Sequence, residues 1–248
     1  MRRLRVTSLE NLTAGQNVPL PETEAHHVRV LRLKPGSTVE LCDQAGRRAS
    51  GLLCDEGGCL EVRLTEAPRL EQSSRWLSLA VAWPKGKRAA LLVEKCSELG
   101  VDCIFPVRYA RSVVTKDDDS EGLVRLRRIA AEAAKQCGRS TLPEIQPQAP
   151  LAEVLRAETP AVSVVLVPDA LRWLPQVLDE LRPELTVRPL TLFIGPEGGF
   201  SPEELAAFER AGVKSARLAP HVLRIETAAL AACALAQAWR GGTAEDAG

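Results

Sequence analysis

Aromatic side chains are scarce in this chain: four phenylalanines, four tryptophans and one tyrosine among 248 residues. Stacking platforms are therefore few, and any affinity for bases has to come from elsewhere. Histidine is rarer still, with three residues and no ligand-like spacing, which argues against structural zinc because such sites want paired Cys/His ligands. The seven cysteines, Cys42, Cys54, Cys59, Cys96, Cys103, Cys137 and Cys233, are odd in number and form no CxxC pair. That pattern speaks for reduced thiols in a cytoplasm rather than a disulfide framework. Long hydrophobic runs are missing too. The longest, Thr227–Trp239, falls short of the ~20 residues that span a bilayer, so no membrane role is expected. Met1-Arg2-Arg3-Leu4-Arg5 leads into Val6–Asn11 without an apolar stretch of signal-peptide length. Net charge is also absent, 32 basic residues facing 32 acidic ones.

What is present is unevenly distributed. Residues 1–50 carry 8 basic and 5 acidic side chains, and residues 85–139 carry 12 and 8, whereas the remainder is acidic. Screening confines each charge to roughly 10 Å, so a neutral protein can still offer a basic patch to phosphate. Solvated helix faces give similar clusters.

The first 65–70 residues read as a small β-barrel. Ser37–Cys42 and Cys59–Leu64 alternate as half-buried strands, turn residues Pro35-Gly36 and Glu56-Gly57-Gly58 flank them, and only Ala25–Arg32 reads as helical. Glu66–Ser74 reads as a polar linker, giving units 1–70 and 71–248. From Trp76 onward strands and helices alternate. Trp76–Trp83 and Cys103–Val107 are expected strands; Ala89, Leu92, Cys96 and Leu99 mark one helix face, ending at Gly100. Leu123, Leu126, Ala130, Ala133 and Cys137 mark another, ending at Gly138. Val162–Val167 and Leu190–Ile194 are continuous apolar runs suited to parallel strands covered on both faces. Ser201-Pro202-Glu203-Glu204 is a capping box. The class is therefore α/β with a mainly parallel sheet. Thr227–Trp239 is apolar nearly all round, which predicts a helix buried on every side, within the core or shared with a dimer interface.

The densest chemical signal is Leu192-Phe193-Ile194-Gly195-Pro196-Glu197-Gly198-Gly199-Phe200, a strand running through a glycine-rich turn into a capped helix. Ligands of open α/β sheets sit outside the carboxyl ends of strands. The turn matches neither the P-loop nor the dinucleotide fingerprint. Glu197 in its middle would repel phosphate and suits a sulfonium or an amino group; a tight turn of purely structural purpose is the alternative. Downstream, Arg224 and Glu226 border the apolar helix. They pair with each other, or else reach a ligand or the glycine loop.

Gly195–Phe200 followed by Val222-Leu223-Arg224-Ile225-Glu226-Thr227-Ala228 resembles the paired motifs of the bacterial ribosomal RNA small-subunit methyltransferase E family, within the SPOUT superfamily. Lys95–Val101, Arg111-Ser112, Glu132–Arg139 with Pro143-Glu144, Met1-Arg2-Arg3 and His26–Arg32 extend the likeness over nearly the whole chain. Ala219, His221 and Ile225 stand where that family commonly has glycine, arginine and threonine.

The resemblance implies a PUA-like RNA-binding barrel followed by a trefoil-knotted methyltransferase domain that works as a homodimer. It implies S-adenosylmethionine bound by Ile194, Gly195, Pro196, Glu197, Gly198, Gly199, Leu218, Val222, Leu223, Arg224 and Thr227. The implied reaction is attack of uracil N3 on the sulfonium methyl, the partner being 16S ribosomal RNA within the small ribosomal subunit. Arg111 and Arg139 are candidates to stabilise the uracil anion, and His27, His221 or Glu197 to take the proton. Arg2, Arg3, Arg29, Arg32, Lys85 and Lys87 are candidate phosphate contacts, while Lys95 and Glu98 form a helix pair. The rival readings are a knotted enzyme acting on another RNA position, a non-catalytic RNA-binding assembly factor, and a small-molecule enzyme.

Overall fold

The computed structural model describes residues 2–43, 46–70, 76–112, 120–139, 141–157 and 161–245. Residues 71–74 of the expected linker lie outside these. Two compact units form, Met1–Ser73 with Gly138–Leu142, and Ser74–Cys137 with Pro143–Gly248.

The first unit contains β1 (Arg2–Arg5), β2 (Asn17–Pro19), α1 (Glu22–Val30), β3 (Thr38–Cys42), β4 (Arg47–Glu56), β5 (Cys59–Leu64) and β6 (Arg69–Leu70). The strand order is β1-β3-β4-β5-β2, with β6 on β4; β1 runs parallel to β3 and the other pairs are antiparallel. Leu4, Leu41, Leu53, Val62 and Leu64 fill its core. Helix α1 starts three residues earlier than its periodicity predicts and stops at Val30; two residues on, Arg32 has turned to a φ of 53°. Strand β1 is Arg-Arg-Leu-Arg, a weak strand former that takes the conformation by pairing with β3.

The second unit runs β7 (Leu77–Ala82), α2 (Lys87–Glu98), β8 (Cys103–Arg108), α3 (Ser120–Gln136), β9 (Glu144–Ile145), β10 (Ala149–Pro150), α4 (Leu151–Ala157), β11 (Val162–Leu166), α5 (Leu174–Glu180), α6 (Arg182–Leu185), β12 (Leu190–Ile194), α7 (Pro202–Arg210), β13 (Lys214–Ala216) and α8 (Ile225–Glu245). Its strands are all parallel, in the order β10-β8-β7-β12-β11-β13, with β9 on β8. Strand β12 thus inserts between β7 and β11, so neighbours in the sheet are far apart in the chain. All five residues of β12 are buried, in line with its uninterrupted apolar run. The expected helix faces pack inward: Ala89, Leu92 and Cys96 on α2, and Leu126, Ala130 and Ala133 on α3. Cys137 departs from that face and is exposed. Lys95 Nζ donates to Glu98 Oε1 at 2.8 Å, the expected pair, and its hydrogen bonds to the Glu94 and Glu98 carboxylates hold the ammonium pKa above its usual value.

Within one chain, helix α8 is covered on one side only, which excludes the purely internal alternative for its apolar pattern. Ala229, Ala232, Cys233 and Ala236 are fully buried, but Thr227, Ala231, Ala234 and Ala238 form an exposed stripe on the opposite side. The sheet covers only one face of the helix. The outer face consists of small residues whose exposure costs little, since hydrophobic penalty scales with apolar area.

Candidate functional site

Strand β12 ends at Ile194 and passes into Gly195-Pro196-Glu197-Gly198-Gly199-Phe200. Gly199 N–H donates to Pro196 O at 2.9 Å, closing a four-residue turn, and Gly199 takes a φ of 71° that favours glycine. Gly195 is required for another reason: a Cβ there would lie 2.7 Å from Phe200 Cζ. That ring is wedged edge-on between Tyr109 and Phe208, each at 5.3 Å, and has nowhere to retreat. The glycine serves its neighbour's packing as much as any ligand's approach. Gly195→Ala is expected to lower stability by about 1–3 kcal/mol through overpacking and to weaken ligand binding at the turn at least tenfold; denaturant melts and calorimetry check both. Unchanged affinity would mean the turn tolerates the displaced ring.

The capping box beyond the turn is formed as expected. Ser201 Oγ accepts from Glu204 N–H at 3.2 Å, and Ser201 N–H donates to Glu204 Oε2 at 2.7 Å. Glu204 Oε1 also accepts from Ala110 N–H at 2.7 Å. One carboxylate therefore ties the start of α7 to the loop after β8. From that loop Arg111 Nη1 donates to Gly198 O at 2.8 Å. The Ser201 hydroxyl, with a smaller contribution from the Arg111 charge, holds the Glu203 carboxyl below the usual range. Burial pushes the Tyr109 hydroxyl well above its ordinary pKa, and the Glu204 charge adds to this.

Beside this turn lie the end of β11 with Val167-Pro168-Asp169, and the segment between β13 and α8. Together they enclose a cavity of about 410 Å3. It opens at the carboxyl ends of β11 and β12, the usual place for a ligand in a parallel sheet. Of the residues expected to hold a donor, Ile194, Gly195, Pro196, Glu197, Gly198, Gly199, Leu218, Val222 and Leu223 line it. Arg224 and Thr227 are not among its lining residues, and both side chains are exposed. Arg111 and His221 line it as well. Arg139 does not; it lies in Gly138–Leu142, grouped with the first unit, where its carbonyl accepts from Arg5 Nη2 at 2.7 Å. His27 sits on α1, also in the first unit.

Sequence reasoning missed Leu166, Val167, Pro168 and Asp169. The available signal was the end of the apolar run Val162–Val167 in Pro-Asp, which mirrors the exit of β12. It missed Arg88 too, whose Nη1 lies 3.7 Å from Glu197 Oε1 and 4.0 Å from Glu226 Oε1. Glu226 thus faces Arg88 and, through it, the glycine turn, whereas no contact links it to Arg224 among the described interactions. Of the candidate phosphate contacts, Arg3 is engaged by Glu40 at 2.5 Å and Arg29 by Glu22 at 3.2 Å. Arg2, Arg32, Lys85 and Lys87 are exposed.

Comparison with known proteins agrees with this arrangement. Residues 71–237 match the model of an RNA methyltransferase domain and residues 20–53 that of an RNA methyltransferase PUA domain. The chain is 32% identical over 223 residues to ribosomal RNA small subunit methyltransferase E of Mycobacterium bovis, covering 84% of this chain and 80% of that protein. It is 28% identical over 220 residues to the protein of that name from Bacillus subtilis, covering 84% of each. Among solved structures, ribosomal RNA small subunit methyltransferase E from Neisseria gonorrhoeae bound to S-adenosyl methionine superposes with a TM-score of 0.76 at 27% identity, covering 96% of this chain and 97% of that one.

Proposed function

Because the chain belongs to the ribosomal RNA small subunit methyltransferase E family, we propose that it transfers the methyl group of S-adenosylmethionine to N3 of a uridine in 16S ribosomal RNA. The observation that carries this reading is the cavity at the ends of β11 and β12, walled by the glycine turn and residues 218–223. Its volume of about 410 Å3 lies within the range of small-molecule sites, roughly 300–1,000 Å3. Leu166, Ile194, Leu205, Leu218 and Leu223 offer apolar walls for an adenine ring, and Asp169 and Glu197 offer carboxylates to a cationic ligand. The donor set therefore fits S-adenosylmethionine, which supplies an electrophilic methyl on a positively charged sulfur.

The residues of this chain contribute alignment and charge. The turn and segment 218–223 hold the donor, and Arg111, whose Nη1 donates to Gly198 O, lines the cavity beside them. There it balances negative charge on the uracil as the N3 proton departs. His221 and Glu197, both at the cavity wall, are assigned as candidates to take the proton, whereas Arg139 lies outside the cavity lining and is given no part there. Uracil N3 lies on the pairing edge, so the base has to be unpaired or flipped out. Arg2, Arg3, Arg29, Arg32, Lys85 and Lys87 are assigned to phosphate, with residues 1–70 as the RNA-binding domain and 71–248 as the knotted catalytic domain of a cytoplasmic enzyme.

The exposed stripe Thr227, Ala231, Ala234 and Ala238 favours a homodimer, since small residues allow close backbone approach. Light scattering is expected to give about twice the 26.9 kDa chain mass, and Ala234→Arg to reduce it to one chain. The functional test is incubation with labelled donor and 16S RNA, naked or within the small subunit, followed by nucleoside analysis. 3-Methyluridine is expected. Label on a ribose or another base would replace this reading with that of a related enzyme, and failure to bind donor would favour an assembly factor.

A further inference from the structure

The cation shared by Glu197 and Glu226 has a consequence for the ligand. Arg88 Nη1 stands 3.7 Å from one carboxylate and 4.0 Å from the other, both beyond hydrogen-bonding reach. Glu226 is only 8% exposed, and its second oxygen, Oε2, makes no hydrogen bond. Glu197 lines the cavity. A single guanidinium cannot neutralise two carboxylates, so the trio keeps one negative charge, part of it in an interior where charge is weakly screened. Buried charge without full compensation is costly to keep, and a cationic ligand would supply what is missing.

We propose that Arg88, Glu197 and Glu226 act as one unit of net charge −1 that makes the cavity favour the sulfonium donor over its product. The proposal rests on the donor-site reading above and names the groups that set its selectivity. On methyl transfer the S–CH3 bond breaks, its electron pair stays on sulfur, and the N3 lone pair forms the new bond while the N3 proton passes to the acceptor at the cavity wall. The sulfur ends as a neutral thioether. The electrostatic attraction is lost at that moment, which favours exchange of product for fresh donor.

The test is a charge ladder read by calorimetry with S-adenosylmethionine and S-adenosylhomocysteine separately. Glu197→Gln and Glu226→Gln each bring the trio to zero, Arg88→Gln brings it to −2, and Arg88→Gln with Glu226→Gln returns it to −1. The donor-to-product affinity ratio is expected to rank Arg88→Gln highest, wild type and the double variant equal, and the two glutamine singles lowest. Each step should be about fivefold, as for a partly exposed charge pair. Added salt should compress the ladder. Ratios that ignore net charge, or a double variant no better than Glu226→Gln, would overturn the proposal, because damage to packing would not be repaired by a second substitution. Wild type binding both ligands with a flat ladder would sink this inference alone; wild type binding neither would sink the donor-site reading with it.

Discussion

Replacing Arg111 with alanine is expected to lower kcat by about 10^2–10^3, the usual cost of removing one donor aimed at developing charge. The side chain is held by Gly198 O at 2.8 Å, and its loop is held by Glu204 through Ala110 N–H at 2.7 Å. Both anchors fix the guanidinium before substrate arrives, so little reorganisation is left for the reaction itself. Arg111→Lys keeps the charge but loses the planar fork that serves Gly198 and the cavity together, and it should recover only part of the rate. Single-turnover methyl transfer, with donor affinity measured alongside, separates two roles. A fall in kcat at constant donor affinity supports charge stabilisation. Loss of donor affinity with an intact rate would reduce Arg111 to a brace for the turn.

Phe193→Ala should be the most damaging core substitution near the site. The ring is fully buried near the carboxyl end of β12 and packs edge-on against Phe208 at 5.1 Å. Truncation of such a ring costs about 3–5 kcal/mol, a large share of the 5–15 kcal/mol typical of a domain. Leu171→Ala provides the contrast: Leu171 is 95% exposed, and the change should stay within about 0.5 kcal/mol. Urea unfolding measures both. A cost below about 1 kcal/mol for Phe193→Ala would mean that β12 is not the rigid centre from which the glycine turn projects.

The glycine turn and its helix cap were legible because their signals are local. Ser201 and Glu204 satisfy each other within one helical turn, and the exit of β12 is marked by glycines next to an apolar run. Residues 218–223 were legible through resemblance rather than periodicity. Arg224 and Thr227 share that motif yet are exposed and do not line the cavity, because what a side chain reaches depends on the packing of the segment and not on its place in a motif.

Periodicity, capping and turn chemistry act between residues a few positions apart, and they made the class of fold, the main strands and helices of the second unit and the glycine turn readable from the chain alone. Which distant pieces meet depends on the assembled fold. The insertion of β12 between β7 and β11 brings Leu166–Asp169 to the cavity and leaves one face of α8 open. Packing within the same unit sets Arg88 between Glu197 and Glu226. Such contacts join residues more than a hundred positions apart, and they form because strand order and helix docking bury the most apolar surface, a condition that no short stretch of chain can express alone.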